Sequence, residues 1–305
     1  MNLNQLRVFA TVAAEGSVTR AAQQLSVSQP AISRQIADLE EDLGVALFDR
    51  LPRGMRPTAA GELLEGHARR ILAAEASAEA ELAELSGLGR GRLSVGASTT
   101  IGSYLVPELF GAYHRAHRSV RLELEIANTA VIQAAVLDNR VDVGLTEGFV
   151  FSDQLDVDVV AHDDMVAIAA PGHRAAAATG LTMAELSALP FIMRERGSGT
   201  RDVIEAELGR LSLHVEPEMS LGSTESVKNA VASGLGVAIV SRLTVALELG
   251  AGRLVELPVP ELQIHRALHL IRLRGKQPSP PVEAFVALLQ ARQRAVEAGT
   301  GAYAI

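Results

Sequence analysis

The chain has 305 residues, of which 48% are hydrophobic and 21% charged, with a net charge of −8 and no cysteine. This length accommodates two or three domains, and no apolar run is long enough to span a membrane. The lack of cysteine excludes disulfide frameworks and thiol-based redox sensing. Because the amino-terminal segment is amphipathic and does not resemble a signal peptide, we expect a cytoplasmic protein.

A helix-turn-helix is predicted near the amino terminus. Ser17 can cap a short helix that ends near Leu25, and Ser28 can cap a second helix with Pro30 in its first turn. The apolar positions of the second helix recur every three or four residues and predict a buried stripe of Ile32, Ile36, Leu39 and Leu43. Its other face is polar and carries Gln29, Ser33, Arg34 and Asp38. In such a pair the second helix can lie in the DNA major groove.

The flanking segments favour the same function. A leading helix has an apolar stripe that can pack behind the pair: Leu3, Leu6, Phe9, Val12 and Ala13. Downstream, Arg50, Arg53 and Arg56 alternate with turn-forming residues, a composition typical of a wing that contacts phosphate. Helix-turn-helix look-alikes also occur in ordinary three-helix bundles. Here the leading helix, the second helix and the arginine-bearing wing occur in order, and we therefore predict DNA binding.

This order resembles the amino-terminal domain of LysR-type transcriptional regulators. The resemblance is carried by Leu6-x-x-Phe9, Gly16-Ser17-x-Thr19-x-Ala21-Ala22, Leu25-x-x-Ser28-Gln29-Pro30-Ala31-Ile32-Ser33, Leu39-Glu40, Leu43-Gly44-x-x-Leu47-Phe48-x-Arg50 and Thr58-x-Ala60-Gly61. The DNA-contacting residues that we predict are Thr19, Ser28, Gln29, Pro30, Ser33, Arg34, Arg50 and Arg53, the last two on phosphate. Residues 1–58 carry as many arginines as acids, so we expect a homodimer that presents two reading helices to promoter DNA.

A long helix is predicted over 59–86, after the DNA-binding domain of 1–58. Leu64, Ile71, Ala78 and Leu85 recur every seven residues, with Ala68 and Leu82 between them. This spacing predicts pairing with a second copy, and the alternative is a solvated connecting helix. The resemblance implies the linker helix of a dimer, and a homotetramer. The glycine-rich segment 87–91 is predicted to be a hinge.

Strands and helices then alternate, which predicts an α/β fold with a parallel sheet. Strands are expected over 92–98, 120–127, 141–146, 165–170, 190–195, 216–221, 236–241 and 262–273, and helices over 101–117, 129–139, 182–188, 200–211, 225–233 and 281–296. Two lobes are predicted, lobe I from 92–161 and 266–305 and lobe II from 162–265. The family resemblance implies an effector domain shaped like a periplasmic solute receptor.

Polar residues follow several predicted strands, where ligands bind in parallel sheets. The predicted effector contacts are Ser98, Thr99, Thr100, Thr129, Thr146, Arg194, Ser198, Gly199, Thr200 and Thr224. Hydroxyl groups, free amides and arginine suit a small anion, although Ser98 to Thr100 can also be plain helix caps. Glu147 opposes a multiply charged anion unless an arginine pairs with it. The branch of the family that the chain looks closest to contains regulators of cysteine biosynthesis and carbon fixation.

No catalytic, metal or cofactor site is predicted. Cysteine nucleophiles are absent, the GSGT stretch is not a nucleophile elbow, and the eight histidines lack metal-ligand spacing. The function we predict is therefore a cytoplasmic, nucleoid-associated regulator that binds promoter DNA and a small anionic effector, with RNA polymerase as a candidate partner. The alternatives are a solute-binding receptor with 1–86 as a dimerisation arm, and an effector-independent regulator.

Overall fold

The protein was analysed as a computed structural model, which describes residues 1–51, 54–85 and 91–297. Its contacts form two compact units. The first lies within Met1–Leu88 and Asp138–Arg140, and the second within Gly89–Leu137 and Val141–Ile305. No helix in the described ranges has the length and apolarity needed to cross a bilayer.

The first unit contains the predicted helix-turn-helix. Its elements are α1 (Leu3–Glu15), α2 (Val18–Gln24), α3 (Gln29–Leu43), the antiparallel strands β1 (Phe48–Leu51) and β2 (Gly54–Pro57), and α4 (Ala59–Leu85). The predicted caps are present, because the hydroxyls of Ser17 and Ser28 accept hydrogen bonds from the backbone of the first turns of α2 and α3. Phe9, Ile32 and Leu39 are fully buried at the centre of the core.

The predicted apolar stripes are correct at their centres and wrong at their ends. Leu3 and Leu43 are exposed, since each lies at a helix end beyond the core. Leu25 is only partly buried, because α2 ends at Gln24 and Leu25 is its carboxyl cap. Val8 is buried although the predicted stripe did not include it.

Part of the heptad predicted for helix α4 packs against the core of its own chain. Ala68 is buried in the first unit, and Ala60, Leu64 and Leu72 pack against the same core. These residues are four apart, so they lie on one face of the helix. Leu64 is thus engaged within its own chain, whereas Leu63 and Ile71 are exposed. The side chains of Leu82 and Leu85, and the predicted hinge apart from Gly91, lie outside the described residues.

Lobe I of the second unit is built on a mixed sheet in the order β4-β3-β5-β11-β6. The strands are β3 (Arg92–Ser98), β4 (Arg121–Ala127), β5 (Val143–Glu147), β6 (Leu155–Ala169) and β11 (His265–Leu273), and the helices are α5 (Thr99–Tyr104), α6 (Val106–Ala116), α7 (Thr129–Leu137) and α12 (Pro280–Glu297). Strands β4, β3 and β5 are parallel, and β11 is antiparallel to its neighbours. The carboxyl ends of β3 and β5 therefore meet at one edge, where α5 begins.

Lobe II uses the second half of β6, which pairs with β9 (Ala238–Ser241) and β10 (Val255–Glu256). Strands β7 (Ile192–Arg194) and β8 (Met219–Leu221) form a parallel pair, joined to β9 by a bridge between Phe191 and Val237. The remaining elements are the helices α8 (Met183–Ser187), α9 (Gly199–Arg210), α10 (Thr224–Ala232) and α11 (Ala246–Gly250), and 3-10 turns at Arg174–Ala177 and Arg242–Thr244.

Several predicted elements of the second unit are wrong in extent, among them one helix and one strand. The helix expected over 101–117 is divided at Leu105, because Pro107 lacks the N–H of a continuous helix and occupies the first turn of α6 instead. The strand expected over 165–170 is the second half of the 15-residue β6. The charged first half of β6 did not look like a strand, but Asp156 and Asp158 pair with Arg274 and Arg272.

Candidate functional site

The polar face of α3 is directed towards solvent. The predicted DNA contacts of this region are all exposed: Thr19, Ser28, Gln29, Pro30, Ser33 and Arg34. Arg34 has no hydrogen bond or ion pair to any other described residue, so its guanidinium group is available to a duplex. Arg20, by contrast, is paired with Glu15 at 3.0 Å. The arrangement has the outward-facing polar helix surface that groove reading requires.

The wing is attached to α3 and α1 by polar contacts. A Glu40 oxygen, Oε1, accepts hydrogen bonds from the backbone N–H groups of Leu47 and Phe48 at 2.6 and 3.2 Å. On the other strand, Met55 donates its backbone N–H to the Gly16 carbonyl oxygen at 2.9 Å. Gly54 has a φ of +112°, and a Cβ there would lie 2.6 Å from the same oxygen, so the position requires glycine.

The wing arginines are only partly described. The side chain of Arg50 and the whole of Arg53 lie outside the described residues, so their predicted phosphate contacts remain predictions. Arg56 on β2 is exposed.

A buried charged group, which we call the Glu147 cluster, lies where lobe I meets lobe II. It consists of Glu147, Ser98, Thr200 and Arg266. Ser98 donates its hydroxyl to the Glu147 carboxylate, and Thr200 donates to the same carboxylate at 3.4 Å. Arg266 Nη1 lies 3.6 Å from Glu147 Oε1 and donates to the Thr200 hydroxyl at 2.9 Å. An arginine therefore pairs with Glu147, which was the condition for an anion at this site.

Arg266 is shared with a second carboxylate. Its Nε donates to Asp163 at 2.8 Å, and Ser241 donates to the other Asp163 oxygen at 3.0 Å. Burial raises the pKa of Asp163, and the charge of Arg266 only partly opposes this. Ser98 was expected either to cap α5 or to contact a ligand. It makes no capping bond and contacts Glu147 instead.

A second group, the Arg194 cluster, joins the lobes through Arg194, Glu195, Thr99 and Thr224. Arg194 donates to the Thr224 hydroxyl at 3.0 Å and to the Thr99 hydroxyl at 3.4 Å. Its Nε also donates to Glu195 at 2.8 Å. Burial tends to raise the pKa of Glu195, but hydrogen bonds and charge from Arg194 outweigh it and lower that pKa. Arg194 is thus neutralised within the chain.

Two predicted effector residues retain unused hydrogen-bonding capacity. The hydroxyls of Thr100 and Thr146 are fully buried and have no hydrogen-bond partner among the described residues. Thr100 lies in the first turn of α5, and Thr146 is the penultimate residue of β5. Buried polar atoms are rarely unpaired, so these two hydroxyls are the strongest structural sign of a polar ligand.

The remaining predicted contacts have mainly structural surroundings. Thr129 donates its hydroxyl to the Glu147 carbonyl oxygen at 3.1 Å, and Ser198 is buried without capping α9. Gly199 was expected to let the backbone approach a ligand. The close approach seen there is to the chain itself, because the Glu147 carbonyl group fills the space next to the Gly199 Cα, and the effector contact of Gly199 stays a prediction.

Several charged residues of the site were missed. Arg266 and Asp163 lie on the two strands that pass between the lobes. In a strand every second residue lies on the same face, so Arg266 shares the inner face of β11 with the buried Leu268 and Leu270. This alternation is the sequence signal that could have identified Arg266. Asp163 alternates in the same way with Met165 on β6.

Lys228 is a further missed residue. This buried lysine on α10 donates to the Tyr104 hydroxyl at 2.9 Å and to Glu248 at 2.9 Å. Burial alone would lower the pKa of Lys228, but hydrogen bonds with Glu225, Tyr104 and Glu248 outweigh it and raise that pKa. Because Tyr104 belongs to lobe I and α10 to lobe II, this lysine forms another polar link between the lobes.

His269 adds a buried nitrogen to this region. Its Nδ1 has no hydrogen-bond partner within the described ranges. Burial lowers the pKa of the His269 imidazole, against the opposing charge of Glu147. No group of His, Asp or Glu side chains in the described part of the chain is arranged to hold a metal ion.

Comparison with protein families decides the assignment. Residues 3–62 match the bacterial regulatory helix-turn-helix protein family described as lysR, and residues 86–294 match the LysR substrate binding domain. The chain belongs to the LysR family of transcriptional regulators. This confirms the resemblance, the fold class and the prediction of a non-enzymatic DNA-binding regulator.

Curated relatives of this LysR-type regulator cover nearly all of it. The RuBisCO operon transcriptional regulator of Allochromatium vinosum is 35% identical over 285 residues, which is 93% of this chain and 94% of the relative. The HTH-type transcriptional regulator YeiE of Escherichia coli K12 is 36% identical over 286 residues, which is 94% of this chain and 96% of the relative.

Solved structures show the same architecture. The regulatory domain of Synechocystis CcmR, solved in complex with 2-PG, is 29% identical with a TM-score of 0.62 and covers 66% of this chain and 97% of that domain. Full-length CbnR in complex with its target DNA is 23% identical with a TM-score of 0.73 and covers 95% of this chain and 99% of that one. At this identity, the likeness to CbnR supports the fold alone.

Proposed function

We propose that this LysR-type regulator responds to a small anionic metabolite bound between lobes I and II. The observation that carries the proposal is the pair of buried, unpartnered hydroxyls on Thr100 and Thr146. Thr146 lies next to the carboxyl end of β5, and Thr100 follows the carboxyl end of the parallel strand β3. Thr100 also belongs to a first helical turn, where free backbone N–H groups favour anions. The related CcmR domain, which was solved with the small anion 2-PG, adds support.

For the DNA-bound state we propose that α3 contacts the bases and the wing contacts the phosphates. Gln29, Ser33 and Arg34 face base edges, Thr19, Ser28 and Pro30 lie beside them, and Arg50 and Arg53 hold phosphate. The exposure of the first six residues supports this assignment. Effector binding would change the geometry of the lobes and, through subunit contacts, the bend of the DNA.

The assembly that we propose is a homodimer through α4 and a homotetramer on promoter DNA, in the cytoplasm at the nucleoid, with RNA polymerase as a further partner. The exposed Leu63 and Ile71 support pairing through α4. We also propose the predicted domain boundaries. They are 1–58 for the DNA-binding domain, 59–86 for the linker helix, 87–91 for the hinge, 92–161 with 266–305 for lobe I, and 162–265 for lobe II.

A thermal-shift screen of the full-length protein tests the effector proposal, because a ligand that binds only the folded state raises the unfolding temperature by mass action. The panel contains small carboxylates, phosphate esters, sulfur oxyanions and neutral analogues of the same size. At least one anion should stabilise the wild type and fail to stabilise Thr100→Val. If no anion raises the unfolding temperature, or if the rise is the same in Thr100→Val, the result would favour an effector-independent regulator.

A further inference from the structure

A separate cavity lies beside helix α7. It has a volume of about 450 Å³, and its walls come from α7, the loop 149–152 and the first turns of α9. Ala130, Ala134 and Leu137 provide an apolar floor. The cavity shares Thr129 with the predicted effector residues, but its lining contains no side chain of the Arg194 cluster or the Glu147 cluster. Its volume lies in the range of small-molecule sites, roughly 300–1,000 Å³.

An aromatic rim is held beside this cavity. Phe151 lines it and is 82% exposed, and Phe149 is 47% exposed, with 6.1 Å between the two ring centroids. The buried Gln133 fixes this loop by donating to the Phe149 carbonyl oxygen at 2.8 Å and accepting from the Phe151 N–H at 3.4 Å. Two large aromatic side chains are thus kept in solvent on an anchored backbone, an arrangement that the core does not explain.

Asp202 is the only charged residue in the lining. Its carboxylate has no hydrogen bond or ion pair with any residue in the described ranges. The adjacent Arg201 directs its hydrogen bonds to Glu205 at 2.7 Å and to the Arg194 carbonyl oxygen at 3.2 Å, so it does not form an ion pair with Asp202. Burial raises the pKa of Asp202, Glu205 adds to this effect, and the charge of Arg201 only partly opposes it. A half-buried carboxylate on an apolar wall, with no ion pair to another described residue, favours a positive partner.

We propose that this cavity is a second ligand site, for a small organic cation with an apolar body, such as an amine or a quaternary ammonium group. Asp202 supplies the opposite charge, Phe151 presents a ring that attracts cations, and the floor of α7 receives the apolar part. Anions are excluded because Asp202 repels them. Thr100 and Thr146, which carry the proposed anion site, do not line this cavity, and since its walls belong to both lobes, its ligand can act on the lobe arrangement.

Calorimetric titration of the full-length protein with three probes of similar size tests this proposal. Benzylammonium, benzyl alcohol and benzoate share a phenyl ring and are positively charged, neutral and negatively charged at neutral pH. Benzylammonium should bind about tenfold more tightly than the other two, because a half-buried carboxylate attracts a nearby cation while solvent screening and desolvation offset part of that attraction. Asp202→Asn should reduce benzylammonium binding to the level of benzyl alcohol.

Asp153→Asn is the matched control. Asp153 is exposed on the same loop region but does not line the cavity, so its loss should leave the ranking of the probes unchanged. Phe151→Leu changes a surface position that folding tolerates, and it should weaken the binding of benzylammonium more than that of benzyl alcohol. This variant also tests the site if Asp202→Asn does not fold. Equal binding of benzoate, equal effects of the two aspartate substitutions, or no binding of any probe would overturn the proposal.

Discussion

Thr146 and Thr129 have the same side chain and opposite hydrogen-bonding states. Both are buried, but only Thr129 donates its hydroxyl to a carbonyl oxygen, that of Glu147. A buried hydroxyl without a partner retains its desolvation cost, about 1–3 kcal/mol, whereas a paired one contributes about 1 kcal/mol. The proposed site for a polar ligand therefore has a cost in local stability when no ligand is bound.

We therefore predict that Thr146→Val stabilises the ligand-free protein by about 1 kcal/mol and abolishes the stabilising effect of the anionic effector. Thr129→Val is the control, and it should destabilise the protein by a similar amount because a buried carbonyl loses its donor. Urea unfolding of both variants measures this. If Thr146→Val is destabilising, its hydroxyl has a partner and the effector assignment loses its main support.

The role of a residue could be predicted where its contacts lie within a few residues along the chain. The caps Ser17 and Ser28 follow from a short polar side chain before a helix, which needs no knowledge of distant parts of the chain. The partners of Arg266 could not be predicted in this way. Asp163 and Glu147 are more than a hundred residues away in the chain, and they approach Arg266 only because β11 pairs with β6 and β5 in the sheet.

At the scale of elements, Glu40 connects the reading helix to the wing. One carboxylate oxygen receives the N–H groups of Leu47 and Phe48, just where β1 begins. Hydrogen bonds to charged groups contribute about 1.5–3 kcal/mol each. The Leu39-Glu40 part of the family motif is therefore structural, since Leu39 is in the core and Glu40 fixes the strand.

Glu40→Ala should destabilise the DNA-binding unit by about 2 kcal/mol and weaken DNA binding through the wing. The comparison is Glu41→Ala, which removes the same charge from an exposed position of α3. Thermal unfolding and fluorescence anisotropy with a DNA duplex measure the two effects. Equal behaviour of the two variants would show that the Glu40 contacts do not hold the wing.

Element types could be predicted better than their extents. The alternation of strands and helices follows from local apolar periodicity, and nearly every predicted element of the second unit is present. The long strand β6 was recognised only in part, because its first half is charged. Those charges pair with Arg272 on β11 and with Arg274 just after it, and this tertiary pairing cannot be read from periodicity.

At the scale of the whole molecule, α4 packs one face against its own domain, and we propose that another face binds a second subunit. Ala68 is buried within the chain, whereas Leu63 is 67% and Ile71 39% exposed. Large apolar residues at such positions are typical of an interface between subunits. The heptad of the sequence predicts pairing with a second copy, but which of its positions remain exposed for this depends on the domain packed beside α4.

Ile71→Glu should therefore dissociate the dimer and reduce DNA affinity, because two half-sites are no longer bound together. Leu247→Glu is a suitable control, since Leu247 is 83% exposed on α11, outside the linker helix. Analytical ultracentrifugation at micromolar concentration measures the assembly. A dimer that survives Ile71→Glu unchanged would place the interface on another surface.

We propose that the exposed face of α3 reads promoter DNA, and the decisive experiment is titration of the full-length protein with its promoter and with an unrelated duplex. Measured at two salt concentrations, the affinity should fall as salt rises, and the wild type should prefer the promoter. Arg34→Ala should lose that preference while keeping its effector affinity. DNA affinity that does not change with salt, or an Arg34→Ala variant that still selects the promoter, would show that this face of α3 does not read the sequence.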